Sequence, residues 1–193
     1  SFSSAMRPQE GHLCRMVAAM TRTINAVHVA SPLDFVLLGG DNIDSAQSNE
    51  LDWVLRLLGE GGELRCDSGE IDDPVPGPDN DGKDPFVAPG LDIPYVWVMG
   101  NHDVLVQGLF KITDTLRRQV VGTRGGPIHG TRDYRLPGAP AVRSTVHVPA
   151  DPARYFLSPS ELLTRVAGDG DGHAVSPDSI EKGRANYTFD IPG

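Results

Sequence analysis

Several features that define other classes of protein are missing from this sequence of 193 residues. No apolar run approaches the ~18–20 residues of a membrane-spanning helix, and the first residues lack the basic segment and apolar stretch of a signal peptide. Only two cysteines are present, Cys14 and Cys66, and they form neither a CxxC pattern nor a zinc-type spacing. The sequence is compatible with one disulfide and with two free thiols, and it does not indicate the cellular compartment.

Positive charge is scarce compared with negative charge. The chain has 26 Asp and Glu against 17 Lys and Arg, a formal net charge of −9. Most of the excess lies in residues 61–93, which contain nine acids and two bases. Because phosphate backbones and anionic membranes require basic surfaces, this balance disfavours a general nucleic-acid or membrane binder. A modest basic patch in 122–155 either contacts a substrate phosphate or faces solvent; it consists of Arg124, Arg132, Arg135, Arg143 and Arg154.

Apolar periodicity predicts an alternation of helices and strands. Helical spacing indicates helices over about 9–28, around 51–58 and within 104–121. The continuous apolar runs at 35–38 and 95–99 indicate strands buried on both faces. The order helix, strand, helix, strand, helix is typical of an α/β layered domain in which these two strands are parallel.

The remaining segments are rich in glycine, proline and aspartate, and we interpret them as insertions in a single domain spanning 1–193. Residues 59–93 form an acidic insertion, and residues 122–185 an irregular one with a helical turn or two at 161–166. Near the end of the chain Tyr187, Phe189 and Ile191 alternate with polar residues, which predicts a strand.

Chemically reactive side chains follow both predicted strands. The first strand ends in Gly39-Gly40-Asp41-Asn42-Ile43-Asp44, and the second in Gly100-Asn101-His102-Asp103. In parallel sheets ligands sit at the carboxyl ends of strands, and carboxylate, amide and imidazole groups bind divalent cations. Each segment taken alone is also compatible with an ordinary strand-to-helix turn, with Asp44, Ser45 or Asp103 as a helix cap.

Together the two segments are far more specific. An apolar strand with GDxxD, followed by an apolar strand with GNHD, resembles the core signature of the calcineurin-like metallophosphoesterases. The resemblance covers residues 33–45 and 93–104 closely and is greatest to bacterial members with long insertions. It implies a layered sandwich of mainly parallel buried strands flanked by helices, and hydrolysis of a phosphomonoester or phosphodiester with two divalent metal ions. The sequence does not choose among Mn, Fe, Zn, Ni and Mg.

The resemblance also implies a role for each motif residue. Asp41 would bridge the two metals, and Asn101 would bind one of them. His102 would protonate the leaving oxygen of the phosphate ester, and Asp103 would orient His102. The remaining motif positions, Asp44, Gly40 and Gly100, would support the loops.

Other motifs of that family are absent from the sequence. Residues 1–38 contain no Asp-x-His, and no His-x-His occurs anywhere in the chain. We therefore expect the chain to be an internal piece of a longer enzyme and to be catalytically poor or inactive by itself. One alternative is a non-catalytic binding or structural module that keeps the same fold.

A second alternative is an unrelated α/β domain stabilised by calcium. Residues 79–84 and 169–173 resemble fragments of calcium loops, but both lack the twelve-residue spacing and final Glu of an EF-hand. Solvated acidic loops are the simpler interpretation of both segments.

Overall fold

The computed structural model describes residues 11–69, 73–127, 145–186 and 188. The strand predicted from Tyr187, Phe189 and Ile191 lies outside them. The described chain is a mixed helix and strand structure with a small parallel sheet, which agrees with the α/β class. Its elements are α1 (Leu13–Ala30), β1 (Val36–Leu37), α2 (Ser48–Leu58), β2 (Gly62–Leu64), β3 (Phe86–Ala88), β4 (Tyr95–Val96), α3 (Asp114–Val120), β5 (Arg124–Pro127), β6 (Thr145–His147), a 3-10 turn (Pro152–Arg154), α4 (Pro159–Ala167) and α5 (Pro177–Lys182).

The two apolar runs form the parallel pair that the sequence predicts. Strand β1 pairs with β4 in the register Val36 to Tyr95 and Leu37 to Val96. Burial on both faces is confirmed for β4 but is wrong for β1, where Leu37 is 55% exposed. Among the described residues β1 and β4 pair only with each other, so the difference comes from packing: Tyr95 of β4 belongs to the main core, whereas Leu37 lies outside it.

The main core lies between β4, α2 and α4. Trp97, Leu51, Leu162 and Leu163 are fully buried in it. Both helices begin with a capping box, formed at α2 by Gln47 with Glu50 and at α4 by Ser158 with Glu161. Such boxes satisfy two backbone N–H groups that a helix start otherwise leaves unbonded. A β-bridge between Gln47 and Phe156 joins the segments that precede the two helices, and it fixes the end of the loop that follows β1.

The third predicted helix is much shorter than 104–121. Helix α3 begins at Asp114, after the cap residue Thr113, whose side chain accepts a hydrogen bond from the N–H of Leu116. Upstream, Val106, Gln107 and Gly108 all have positive φ, at 49°, 57° and 74°. Three successive left-handed residues cannot continue a right-handed helix, so residues 104–110 form turns instead.

Both segments interpreted as insertions contain regular structure. Within 59–93, β2 and β3 pair antiparallel, and Cys66 beyond β2 forms a disulfide with Cys14 of α1. Irregularity is wrong for much of 122–185, which contains β5, β6, α4 and α5. Helix α4 supplies Leu162, Leu163 and Val166 to the main core, so this segment is part of the fold.

Among the described residues, no helix has both the length and the apolar character needed to cross a membrane.

Candidate metal centre

The loops after β1 and β4 touch each other through two glycines. Gly40 has φ of +90°, and a Cβ built on it would lie 2.8 Å from Cα of Gly100. A Cβ on Gly100 would collide with the amide nitrogen and the carboxylate of Asp41. Only residues without a side chain permit this approach, so the supporting role predicted for Gly40 and Gly100 has a steric basis.

Asp103 joins the same two loops from inside. It is fully buried; its Oδ1 accepts the N–H of Ile43 at 2.9 Å, and its Oδ2 accepts the N–H of Gly100 at 2.6 Å. The amide of Asn42 lies 3.4 Å from Oδ2 and also donates to the carbonyl of Val98 at 2.9 Å. Burial raises the pKa of Asp103, against the opposing effect of these N–H bonds. Its described hydrogen bonds thus hold the loops together, and its predicted action on His102 stays a prediction.

His102 contacts both acids of the first motif. Its backbone N–H donates to Oδ1 of Asp41 at 2.9 Å, and its Nδ1 lies 2.8 Å from Oδ1 of Asp44. The hydrogen bond with Asp44 raises the pKa of His102. The His102 side chain is 49% exposed, so a ligand can reach it. Since a carboxylate only accepts, Nδ1 carries a proton in this contact, and Nε2 is the nitrogen left to exchange a proton with a ligand.

Asp44 makes a contact between the two motif loops that the sequence did not predict. The resemblance gave it a loop-supporting role, whereas the structure places its carboxylate on the imidazole ring of His102. The signal available in the sequence was the spacing in GDxxD, which puts two acids on one short loop. It says nothing about which residue of the other loop, 58 positions away, each acid meets.

Asp41 and Asn101, the two predicted metal ligands, are exposed on these facing loops. Carboxylate and amide oxygens are donors that divalent cations accept, so the chemistry of the pair fits a metal ion. Two donors do not complete a coordination shell. In the described part of the chain, no group of three His, Cys, Asp or Glu ligand atoms comes together at this place.

Such a group does occur in the acidic segment. Ligand atoms of Asp73, Asp81 and Asp84 lie within 4.8 Å of one another. Asp84 is buried, and its Oδ2 accepts N–H bonds from Asn80 at 2.7 Å and Asp81 at 3.2 Å, which lower its pKa. The triad is therefore organised by turn hydrogen bonds of the segment itself.

Within the basic patch, Arg154 is hydrogen-bonded to the backbone of the protein itself. The Arg154 guanidinium donates to the backbone carbonyls of Val120, Gly122 and Pro149. Its function in the structure is to join the end of α3 to the segment before the 3-10 turn. Arg132, Arg135 and Arg143 lie outside the described residues.

No protein-family model matches this sequence, and neither a curated protein nor a solved structure matches it.

Proposed function

We propose that this chain carries the central part of a two-metal phosphoesterase of the calcineurin-like fold, which hydrolyses a phosphomonoester or phosphodiester. The meeting of the two motifs supports this proposal best: Nδ1 of His102 lies 2.8 Å from Oδ1 of Asp44. Two unrelated strand-to-helix turns need no such contact. The buried carboxylate of Asp103 and the contact between Gly40 and Gly100 support it further, because both hold the motif loops face to face.

The exposed groups of this site divide into two functions. Asp41 and Asn101 would hold the metal ions, whose chemistry is to polarise the phosphoryl group and to activate the attacking water. His102 would donate the proton of Nε2 to the leaving oxygen, while Asp44 holds Nδ1 and thereby the orientation of the ring. Substrate phosphate is thus expected next to Nε2 of His102, on the side of the ring away from Asp44, and beside Asp41.

The ligands that the motifs here do not provide would come from residues outside this sequence, in agreement with the absent Asp-x-His and His-x-His. We therefore expect the 193-residue chain to bind Mn²⁺ weakly and to hydrolyse esters poorly. A longer natural form that contains the flanking sequence is expected to be the active enzyme.

The test is hydrolysis of bis-p-nitrophenyl phosphate and p-nitrophenyl phosphate with Mn²⁺, by the longer form and by this chain. Asn101→Ala in the longer form should abolish activity. Asn186→Ala, a matched change at an exposed asparagine, should leave it intact. The ratio of diester to monoester hydrolysis then indicates the substrate class.

A different result would point to the non-catalytic module. In that case the longer form hydrolyses neither ester, and calorimetry gives the same Mn²⁺ affinity for the wild type and for Asn101→Ala. Activity that survives Asn101→Ala would likewise remove Asn101 from the metal site.

The triad Asp73, Asp81 and Asp84 favours a second candidate function, a calcium-stabilised loop. Its test is a calcium titration of the melting temperature, because a ligand of the folded state raises that temperature. The increase should be lost in Asp73→Asn and kept in Asp41→Asn. If millimolar calcium did not raise the melting temperature, the segment that contains the triad would be a solvated acidic loop without a calcium site.

A further inference from the structure

A cavity of about 360 Å³ lies at the amino end of β4, whereas the motif loops follow its carboxyl end. Its walls are the end of α2, residues 91–94, the start of β4 and the turn that follows α4. The volume falls within the range of small-ligand sites. None of the residues assigned to the phosphoesterase site lines it.

The titratable residues that line the cavity are four acids, Glu60, Asp92, Asp169 and Asp171, together with His173 and Tyr95. No lysine or arginine lines it. Glu60 has a distant ion pair with Arg56 at 3.9 Å. Among the described residues, no lysine or arginine forms an ion pair with the other three acids. The cavity therefore carries negative charge that no lysine or arginine neutralises apart from the distant Arg56. His173 is the one basic group named in its lining, and it lies 3.0 Å from Oδ2 of Asp169 and 3.2 Å from Oδ1 of Asp171.

Asp169 is held in a fixed orientation. The hydroxyl of Tyr95 donates to its Oδ2 at 3.1 Å, and Nε2 of His173 lies 3.0 Å from the same oxygen. The rings of Tyr95 and His173 are buried and stack at a centroid distance of 3.7 Å. Both of these contacts use Oδ2, which leaves Oδ1 as an acceptor at the cavity wall.

Apolar side chains complete the surface. Leu58 and Ile93 are buried and line the cavity together with Leu91 and Pro94. A pre-oriented carboxylate beside an apolar wall matches a positively charged head group attached to a short hydrocarbon chain. Charge-assisted hydrogen bonds to carboxylate are among the stronger ones, and the hydrocarbon gains from burial against leucine and isoleucine.

We infer that this cavity binds a small organic cation, an ammonium or guanidinium group on a short alkyl chain, with its charge on Asp169 and Asp171. The inference is independent of the proposed phosphoesterase activity, since it uses none of the same residues.

The test compares three probes of similar size and different charge: pentylammonium, pentanol and pentanoate. Their binding to the 193-residue chain is followed by NMR shift changes, with attention to the Tyr95 and His173 rings. We expect pentylammonium to bind at millimolar concentration and to move these signals, and the other two to bind at least tenfold more weakly. Equal binding of pentanol or pentanoate, or no binding of pentylammonium, would overturn the inference.

Three variants locate the binding. Asp169→Asn keeps the shape of the side chain and should weaken pentylammonium binding about tenfold or more. Asp171→Asn changes a carboxylate that is 60% exposed, so it should fold normally and weaken binding severalfold even if Asp169→Asn does not fold. Asp178→Asn removes a surface carboxylate paired with Lys182 and should have no effect. Wild-type affinity in Asp171→Asn would show that the cation does not lie on Asp171, and equal losses in all three variants would show general attraction to an acidic protein. Either result would overturn the inference.

Discussion

Nδ1 of His102 lies 2.8 Å from Oδ1 of Asp44, and the two residues are 58 positions apart in the sequence. The side chains are 49% and 82% exposed. Ion pairs this exposed contribute little to stability, between about 0 and 1 kcal/mol. The contact therefore matters for the orientation of the imidazole ring, which a catalytic role requires, and hardly for the fold.

The first prediction concerns this pair in the longer form that we propose to be active. His102→Ala should lower kcat for phenyl phosphate by roughly 10²–10⁴, the usual contribution of a general acid. It should affect p-nitrophenyl phosphate much less, because p-nitrophenolate leaves without needing a proton. Asp44→Asn should change the two rates in the same direction by a smaller factor, about tenfold, since the ring remains but loses its orientation. Steady-state kinetics on both esters measures these effects.

Asp34→Asn is the control for Asp44→Asn, because Asp34 is an exposed aspartate outside both motif loops. It should leave both rates unchanged. If His102→Ala slowed the two esters equally, His102 would not be the proton donor.

Asp103 should matter for stability even in the absence of metal. Asp103→Asn replaces one carboxylate oxygen with an N–H donor that faces a backbone N–H, from either Ile43 or Gly100. Hydrogen bonds to charged groups contribute about 1.5–3 kcal/mol, and we expect a loss of about 2 kcal/mol in urea unfolding of the metal-free chain. Unchanged stability of this chain, together with lost activity of the longer form, would instead support the orienting role that the family resemblance implies for Asp103.

Gly100 and Gly39 provide a matched pair of alanine substitutions. A Cβ at Gly100 collides with Asp41, whereas a Cβ at Gly39 meets nothing within 4 Å. Gly100→Ala should therefore separate the loops, lower the melting temperature and weaken Mn²⁺ binding at least tenfold. Gly39→Ala should leave both close to wild type. Thermal unfolding and Mn²⁺ calorimetry test this, and similar results for the two variants would contradict the close approach of the loops.

The local parts of this fold could be predicted from the sequence. Helices α1 and α2 follow from apolar spacing, and the parallel pair of β1 and β4 follows from two apolar runs separated by a helix. The shortening of the third helix could not be predicted. It depends on left-handed backbone at Val106 and Gln107, and valine is a residue type that rarely adopts this conformation.

Contacts between residues far apart in the sequence could not be predicted either. Strands β2 and β3 are three residues each, too short for an alternating pattern to emerge. The stacking of Tyr95 on His173 joins residues 78 positions apart, and the meeting of Asp44 with His102 depends on how two loops pack. Sequence spacing specifies which groups are present on a loop, whereas packing decides which of them touch.

The disulfide between Cys14 and Cys66 should stabilise the chain substantially. It joins positions 52 apart, and in the chain-entropy model a loop of this length contributes about 4 kcal/mol. Because 1 kcal/mol corresponds to about 2–4 °C in a domain of this size, dithiothreitol should lower the melting temperature by roughly 8–16 °C. The Cys14→Ala/Cys66→Ala double variant should melt at the same temperature as the dithiothreitol-treated wild type, and dithiothreitol should not change its melting temperature. Two thiols titrated in the unreduced protein would contradict the bond.

Glu50 makes the stability depend on pH in a direction opposite to that of most carboxylates. Its Oε2 accepts the N–H groups of Ser45 and Gln47, yet burial raises its pKa above the ordinary value of 4.5. The folded state thus holds the proton more tightly than the unfolded state. The stabilisation by protonated Glu50 is complete below pH 4.5 and is lost as pH rises through the folded-state pKa.

Glu50→Gln should therefore become more favourable relative to wild type between pH 4 and pH 7. Glutamine can still complete the capping box at the start of α2, and it carries no charge that burial penalises. The measurement is the difference in melting temperature between variant and wild type at several pH values. Glu181→Gln, at an exposed glutamate, is the matched control for replacing a charged side chain. If the difference for Glu50→Gln fell with rising pH, the ionised carboxylate would be stabilising α2 and the burial effect would be the weaker one.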